Sequence, residues 1–274
     1  MKVRPFLKWA GNKYQILERI RAVLPPGKRL IEPFAGSGAV FLNTHYSQYL
    51  VTDNNGDLIK LYLTLQAEGE SFISYCKSFF TESNNSKSCY NNLRKIFNST
   101  TETRLKSALF VYLNRHCYNG LCRYSLQGSF NTPFGKYKKP RFPEDEMRHF
   151  YTKAKNAIFL PADFREVMRA AGKGDVVYCD PPYVPLSATA SFTTYSSGGF
   201  GIDDQVELAE LARQLAGRGV PVLISNHATE FTLSAYKGAS IELFDVQRYI
   251  SCDGANRGRV GEVLALFDAR LPCD

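Results

Sequence analysis

Long apolar runs are missing from this 274-residue chain. Nothing approaches the roughly 18 consecutive apolar residues of a membrane span, so none is expected. The opening residues, MKVRPFLKWAGNKY, hold no apolar segment of signal-peptide type. Histidine is scarce, at four scattered positions (His45, His116, His149, His227), and the seven cysteines include no C-x-x-C pair. A zinc site is therefore not expected, and the thiols are read as reduced, in a cytoplasmic protein. Internal repeats and low-complexity tracts are lacking too. The most telling gap is in one sign of charge: from Thr103 to Pro143 there is no Asp or Glu.

That acid-free tract carries Arg104, Lys106, Arg115, Arg123, Lys136, Lys138, Lys139 and Arg141. These eight cations equal the whole formal excess of +8, which leaves 26 cations against 26 acids elsewhere. A solvated basic face is the bland reading of such a run. Here Tyr118, Tyr124, Phe130, Phe134, Tyr137 and Phe142 are interleaved with the charges. Cations that neutralise phosphate, mixed with rings that stack or wedge, mark a nucleic-acid surface. The remaining composition, 44% hydrophobic and 22% charged, is that of a globular protein with a real core.

The first sixty residues alternate between helix and strand patterns. NKYQILERIRAVL is amphipathic and stops at Pro25-Pro26-Gly27; RLIEPF reads as a strand, AGSG as a turn and AVFLNTHY as a helix. QYLVTD is a second strand, ending in Asp53. From about Leu58 to Tyr118 the spacing is helical, in LIKLYLTLQAEGESFISYCKSFF, YNNLRKIF and TRLKSALFVYLNRHCY. NGLCRYSLQGSFNTPFGKY then suggests a β-hairpin or extended loop around Gly128. Strand patterns return with AIFL, DVVYCD, VPVLISN, ASIELFDV and EVLALF, and IDDQVELAELARQLAGRG is a capped helix between two of them. The expectation is an α/β nucleotide-type domain, residues 1–57 and 148–274, interrupted by a recognition insert over 58–147.

Two short stretches carry the chemistry. In GDVVYCDPPY the buried-strand pattern ends at Asp180, and Pro181-Pro182 can continue neither ladder nor helix. Asp180 is thus held at a strand's carboxyl end, where open α/β sheets place ligands, although a rigid turn with a local cap reads the same four residues. In IEPFAGSGAV a glycine turn joins strand to helix without meeting the dinucleotide spacing G-x-G-x-x-G. Asp53, seventeen residues after Gly36 and at the next strand's end, suits ribose hydroxyls.

FLKWAGNK at 6–13, EPFAGSG at 32–38 and DPPY at 180–183 occur together in this order. With them the chain resembles the Dam-type DNA adenine-N6 methyltransferases, which methylate GATC and use S-adenosyl-L-methionine. YLNRHCYNGLCRY, FNTPFGKYKKP, PLSATASFT and VLISNH extend the resemblance over nearly the whole chain. It implies a Rossmann-like, seven-stranded methyltransferase sheet with a last antiparallel hairpin and an inserted helical and β-hairpin DNA-recognition domain. It further implies cofactor contacts from Trp9, Lys13, Phe34, Gly36, Gly38, Asp53, Asp163, Phe164 and Asp180. Asn12 stands where the family usually has a second glycine; if positive φ is needed there, Asn is the next most tolerant residue.

The resemblance gives DPPY a chemical reading. An exocyclic amine is a poor nucleophile because its lone pair is conjugated into the ring. The Asp180 carboxylate and the Pro181 carbonyl can each accept one of its N–H bonds and aim the lone pair at the methyl. Tyr183 offers a ring for a flipped adenine, whose target atom is not reachable inside a duplex. The DNA contacts implied are Lys8, Arg115, Tyr118, Asn119, Leu121, Arg123, Pro133, Tyr137, Lys138 and Lys139. Double-stranded DNA is the expected partner of a monomer, cytoplasmic and nucleoid-associated, in a restriction-modification or an orphan role; no metal is expected.

Competing classes fare differently. A cytosine-C5 enzyme needs a nucleophilic cysteine after proline, and the sole Pro-Cys is Pro272-Cys273. Zinc base deaminases need H-x-E with P-C-x-x-C, and both are absent. An N4-cytosine methyltransferase shares the amine chemistry and stays open, as does a regulator on a decayed scaffold. The SATASFTTYSSGGFG stretch at 187–201 is expected to act as a mobile lid.

Overall fold

A computed structural model describes residues 2–184, 199–247 and 259–269. The fold is mixed α/β. Seven strands, β1 (Arg29–Glu32), β2 (Gln48–Asp53), β3 (Ala157–Pro161), β4 (Asp175–Cys179), β5 (Val222–His227), β6 (Ser240–Gln247) and β7 (Arg259–Phe267), form one sheet. Its order is β3-β2-β1-β4-β5-β7-β6. Parallel pairing joins β2 to β3, β1 to β4 and β4 to β5, while β7 runs antiparallel to β5 and β6. The seven-stranded sheet and its terminal antiparallel hairpin match the sequence reading. By compactness the chain divides into Met1–Glu18 with Ala35–Pro161, and Arg19–Phe34 with Ala162–Asp274.

In the second unit, β4 and β5 are buried along their whole length, so Val176–Cys179 and Val222–Ile224 are continuous rather than alternating apolar runs, and β5 then buries the polar Ser225, Asn226 and His227. At the amino end of β4, Arg29 grips the Asp175 carboxylate with two bonds, Nε to Oδ1 at 2.8 Å and Nη2 to Oδ2 at 2.7 Å. Gly172 N–H donates to the same carboxylate. The start of the strand is pinned, so its carboxyl end is placed by counting residues. The helix Ile202–Gly217 begins with Asp203 and Asp204, and the Asp204 carboxylate accepts from Gly201 N–H at 2.5 Å.

The first unit is built around aromatic side chains. Phe150 has Phe6, Phe41, Tyr62 and Phe159 around it at ring-centroid distances of 5.2, 5.5, 4.6 and 5.6 Å. The helix carrying Phe150, Glu144–Ala154, was not anticipated from sequence; its apolar positions Met147, Phe150 and Ala154 are few and its first turn is acidic. The long pattern from Leu58 resolves into two helices, Gly56–Glu68 and Glu70–Lys77. Gly69 breaks it at φ +53°, and a Cβ there would lie 2.6 Å from the Tyr151 ring. The AVFLNTHY helix ends early, at Asn43, where the Asn43 side chain and the Thr44 hydroxyl bond back to the carbonyls of Ala39 and Val40.

Candidate functional site

The DPPY segment leaves β4 inside a dense set of bonds from β5 and from the helix Ile202–Gly217. The hydroxyl of Ser225 donates to Asp180 Oδ1 at 3.1 Å and lies 3.0 Å from the buried Tyr178 hydroxyl. The Gln205 amide donates to the Pro182 carbonyl at 2.7 Å, and Val184 N–H donates to Asn226 Oδ1 at 3.1 Å. His227 donates through Nδ1 to the Val184 carbonyl at 2.7 Å, which fixes its tautomer. Between these holds stands the Pro181 carbonyl, to which no group donates among the described residues. Tyr183 packs edge-on against His227 at 4.7 Å and its hydroxyl lies 3.4 Å from Glu262 Oε2. Burial first, then the charges of Asp180 and Glu262, push the Tyr183 phenol well above its ordinary pKa, so it stays neutral.

The same unit assembles an aromatic cluster. Phe34, which follows β1, stacks on Phe164 at 5.3 Å and 29°, and Phe200 meets both rings at 5.5 and 5.4 Å. Asp163 caps the helix Phe164–Arg169 through Arg165 N–H at 2.9 Å. The Arg165 guanidinium bridges Asp163, Asp204 and Glu207 and lies 4.4 Å from the centre of the Phe164 ring. Those three carboxylates raise its already high pKa.

In the first unit the glycine turn is tight because an aromatic ring leans on it. Gly36 and Gly38 have φ of +47° and +71°, and a Cβ on Gly36 would lie 2.7 Å from Trp9 Nε1. The Asp53 carboxylate ties this turn to the end of β2, accepting from Gly36 N–H and Asn55 N–H, each at 2.9 Å. Burial raises the Asp53 pKa, and the two backbone bonds oppose that rise. Lys13 is buried with its ammonium donating to the Gly11 carbonyl at 2.5 Å. The condition of positive φ at Asn12 does not arise: Asn12 has φ −58° and caps Tyr14 N–H, while Gly11, at φ +72°, makes the turn. Asn is suited to this place as a cap, not as a glycine substitute.

The basic tract opens with the helix Thr103–His116 and continues as an irregular antiparallel hairpin, with single bridges at Cys117–Phe134 and Tyr124–Phe130 and Gly128 at φ +75° in its tip. Its outgoing strand is docked on the helix Lys87–Ser99. Tyr90 and Arg94 donate to the Thr132 carbonyl at 2.8 and 2.9 Å, and Asn98 bonds both backbone groups of Phe130. Those three residues, one helical stripe at intervals of four, escaped the sequence reading because a polar stripe reads as a solvated face. Lys8 lies 4.0 Å above the Tyr137 ring, whose hydroxyl accepts from Asn119 N–H at 3.1 Å. Burial first, then Arg115, lowers the Lys8 pKa.

Of the expected DNA contacts, Tyr118 is 54% exposed and Asn119, Arg123, Pro133, Lys138 and Lys139 are exposed as well. Leu121 and Tyr137 are partly covered. Arg123 Nε donates to Asn131 Oδ1 at 2.7 Å, which steadies the guanidinium at the hairpin surface. Arg115 is half-buried, with Nε on the Arg141 carbonyl at 3.1 Å. The stretch expected as a lid lies outside the described residues for 187–198. No helix of the described residues is long and apolar enough to cross a membrane, and no group of three metal-ligating side chains occurs among them.

Residues 9–250 match the family described as D12 class N6 adenine-specific DNA methyltransferase. A DNA adenine methylase of Serratia marcescens is 50% identical over 267 residues, covering 97% of this chain and 99% of that protein. One from Vibrio cholerae serotype O1 is 48% identical, with 98% of each chain covered. The DNA adenine methylase of Escherichia coli K12 is 47% identical and covers 97% and 96%. With the motif order, the sheet and this similarity in agreement, the chain belongs to the D12 class of N6 adenine-specific DNA methyltransferases.

Proposed function

We propose that this adenine-N6 DNA methyltransferase takes its methyl group from S-adenosyl-L-methionine and acts on a flipped adenine within GATC sites of duplex DNA. The observation that carries the reading is the pair formed by the Asp180 carboxylate, held by Ser225, and the adjoining Pro181 carbonyl, bracketed by fixed neighbours. Two acceptors on consecutive residues suit one amine with two N–H bonds. Oriented acceptors raise the nucleophilicity of that nitrogen mainly by placement.

The donor set fits the cofactor. Phe34, half-buried and backed by the buried Phe164 ring, would take the purine, and the Asp53 carboxylate is an acceptor for ribose hydroxyls. Lys13 would hold the methionine carboxylate, with Trp9, Gly36 and Gly38 shaping the turn beside it and Asp163 serving the adenine. When bound, S-adenosyl-L-methionine supplies an electrophilic methyl on a sulfonium. Asp180 and Pro181 orient the amine, and Tyr183 gives the flipped base a neutral ring to stack on.

Recognition falls to residues 58–147, and catalysis to 1–57 and 148–274, acting as a monomer on double-stranded DNA. Arg123 reads guanine, because an arginine fork matches O6 and N7 together. Tyr118 wedges into the duplex, with Asn119, Leu121, Pro133 and the Lys8–Tyr137 pair at neighbouring bases. Lys138, Lys139 and Arg115 serve the phosphates. Transfer of labelled methyl to DNA with and without GATC sites tests the reading. Incorporation only into GATC-containing duplex, as N6-methyladenine, is expected; equal incorporation into both would remove the site assignment.

A further inference from the structure

We infer that Gln205 and Asn226 are positioning residues of the methyl-transfer step, setting the direction of the Pro181 carbonyl by clamping the backbone after it. The inference rests on the reading that Asp180 and Pro181 accept the two N–H bonds of the target amine. Pro181 and Pro182 have no backbone N–H, so this strap cannot be held by a sheet ladder on that side. Its orientation depends on what grips the polar groups that remain.

Both ends of that grip converge on one side chain. The Asn226 amide makes four bonds and is fully used: Oδ1 accepts from Val184 N–H at 3.1 Å and from His227 N–H at 2.9 Å. Its Nδ2 donates to Gln205 Oε1 at 3.1 Å and to the Tyr236 hydroxyl at 2.9 Å. Gln205, 1% exposed, passes the hold on by donating to the Pro182 carbonyl at 2.7 Å. Ser225, the residue before Asn226 on β5, donates to Asp180 Oδ1. The carboxylate and the backbone on the far side of Pro181 are thus referenced to the same two residues of one buried strand. A saturated buried amide has one orientation, because rotating it would strand four partners at once.

The experiment measures single-turnover methyl transfer with saturating cofactor and GATC duplex, beside the dissociation constants of each. Gln205→Glu keeps the acceptor for Asn226 but sets a carboxylate oxygen against the Pro182 carbonyl. The expected result is a transfer rate lowered about a hundredfold, the size of effect given by displacements of about 1 Å. Cofactor and DNA dissociation constants are expected to stay within about twofold of the wild type, since neither residue is assigned to either ligand. Should the buried carboxylate prevent folding, Gln205→Met, of similar length and uncharged, carries the same test with at least about a tenfold loss. An unchanged transfer rate in a folded variant, or a loss accounted for by weaker binding, overturns the inference. Asp180→Ala is run in parallel. If it too retains transfer, the reading of Asp180 and Pro181 fails; if it alone abolishes transfer, only the clamp fails.

Discussion

At the scale of single residues, Asp180 and Gly36 make separate demands. Asp180 accepts from Ser225 on one oxygen and stands beside the Pro181 carbonyl, so its removal deletes an acceptor without deleting a ligand-binding surface. Asp180→Ala is expected to lower methyl transfer by at least about a thousandfold, in the range of lost transition-state contacts, with DNA affinity retained. Gel-shift titration alongside a transfer assay checks it, and near-normal turnover would remove Asp180 from the mechanism. Gly36 combines φ +47° with the Trp9 ring 2.7 Å from any added Cβ. Gly36→Ala is therefore expected to cost about 1–3 kcal/mol in urea unfolding, from overpacking and backbone strain together. Trp9 is the sole tryptophan, so its emission reports the displacement directly. An unshifted spectrum and midpoint would mean the turn has room that the geometry denies.

At the scale of elements, the hairpin between Cys117 and Phe134, proposed for recognition, is docked on a helix. Its base-facing candidate Arg123 is steadied by Asn131, while Lys139 stands exposed beyond the paired segment. Arg123→Ala is expected to lose preference at one base pair of the site, by roughly 1–3 kcal/mol, when cognate and singly substituted duplexes are compared. Lys139→Ala is expected to weaken binding to all duplexes alike and to flatten the salt dependence by about one unit of slope. A uniform loss with Arg123→Ala would reassign that side chain to phosphate. Support for the hairpin comes from Asn98, which bonds the N–H and carbonyl of Phe130 at 2.9 and 3.1 Å. Asn98→Ala deprives both groups of this partner and is expected to blur discrimination at several base pairs rather than one, as measured on the same duplex series.

At the scale of the whole molecule, stability should depend on pH through His116. This residue is 1% exposed, stacked on Tyr112 at 4.0 Å and donating through Nδ1 to the Tyr112 carbonyl at 2.8 Å. Burial first, then the charges of Lys8 and Arg115, against the opposing backbone bond, lowers its pKa from 6.5 to about 4. The unfolded chain takes up this proton at a higher pH than the folded one. Its contribution is therefore complete above about pH 6.5 and is lost as pH falls toward 4, on the order of 3 kcal/mol in all. Denaturant midpoints of the wild type and His116→Gln across that window are expected to diverge at neutral pH and converge in acid. Parallel curves would assign the acid loss elsewhere.

What the sequence determined by itself was whatever depends on neighbours along the chain. Pro181-Pro182 ends a strand wherever it occurs, and positive φ at Gly36 and Gly38 follows from a strand-to-helix turn. The acid-free tract is equally plain in the sequence, but folding pairs Arg104, Lys106 and Arg141 with Glu68, Asp57 and Glu146. The β4 pattern was legible because burial on both faces leaves a nearly continuous apolar run. The helix Glu144–Ala154 was not, since three spaced apolar residues behind acids resemble a loop. Only tertiary structure decided what grips the DPPY strap: Ser225 reaches Asp180 across 45 positions and Asn226 reaches Val184 across 42. Those contacts exist because β4 and β5 run parallel with Cys179 opposite Ile224, which brings both carboxyl ends to one edge. No local rule assigns a buried glutamine or asparagine its partner. Hydrogen-bond direction is a property of the packed pair, not of either residue.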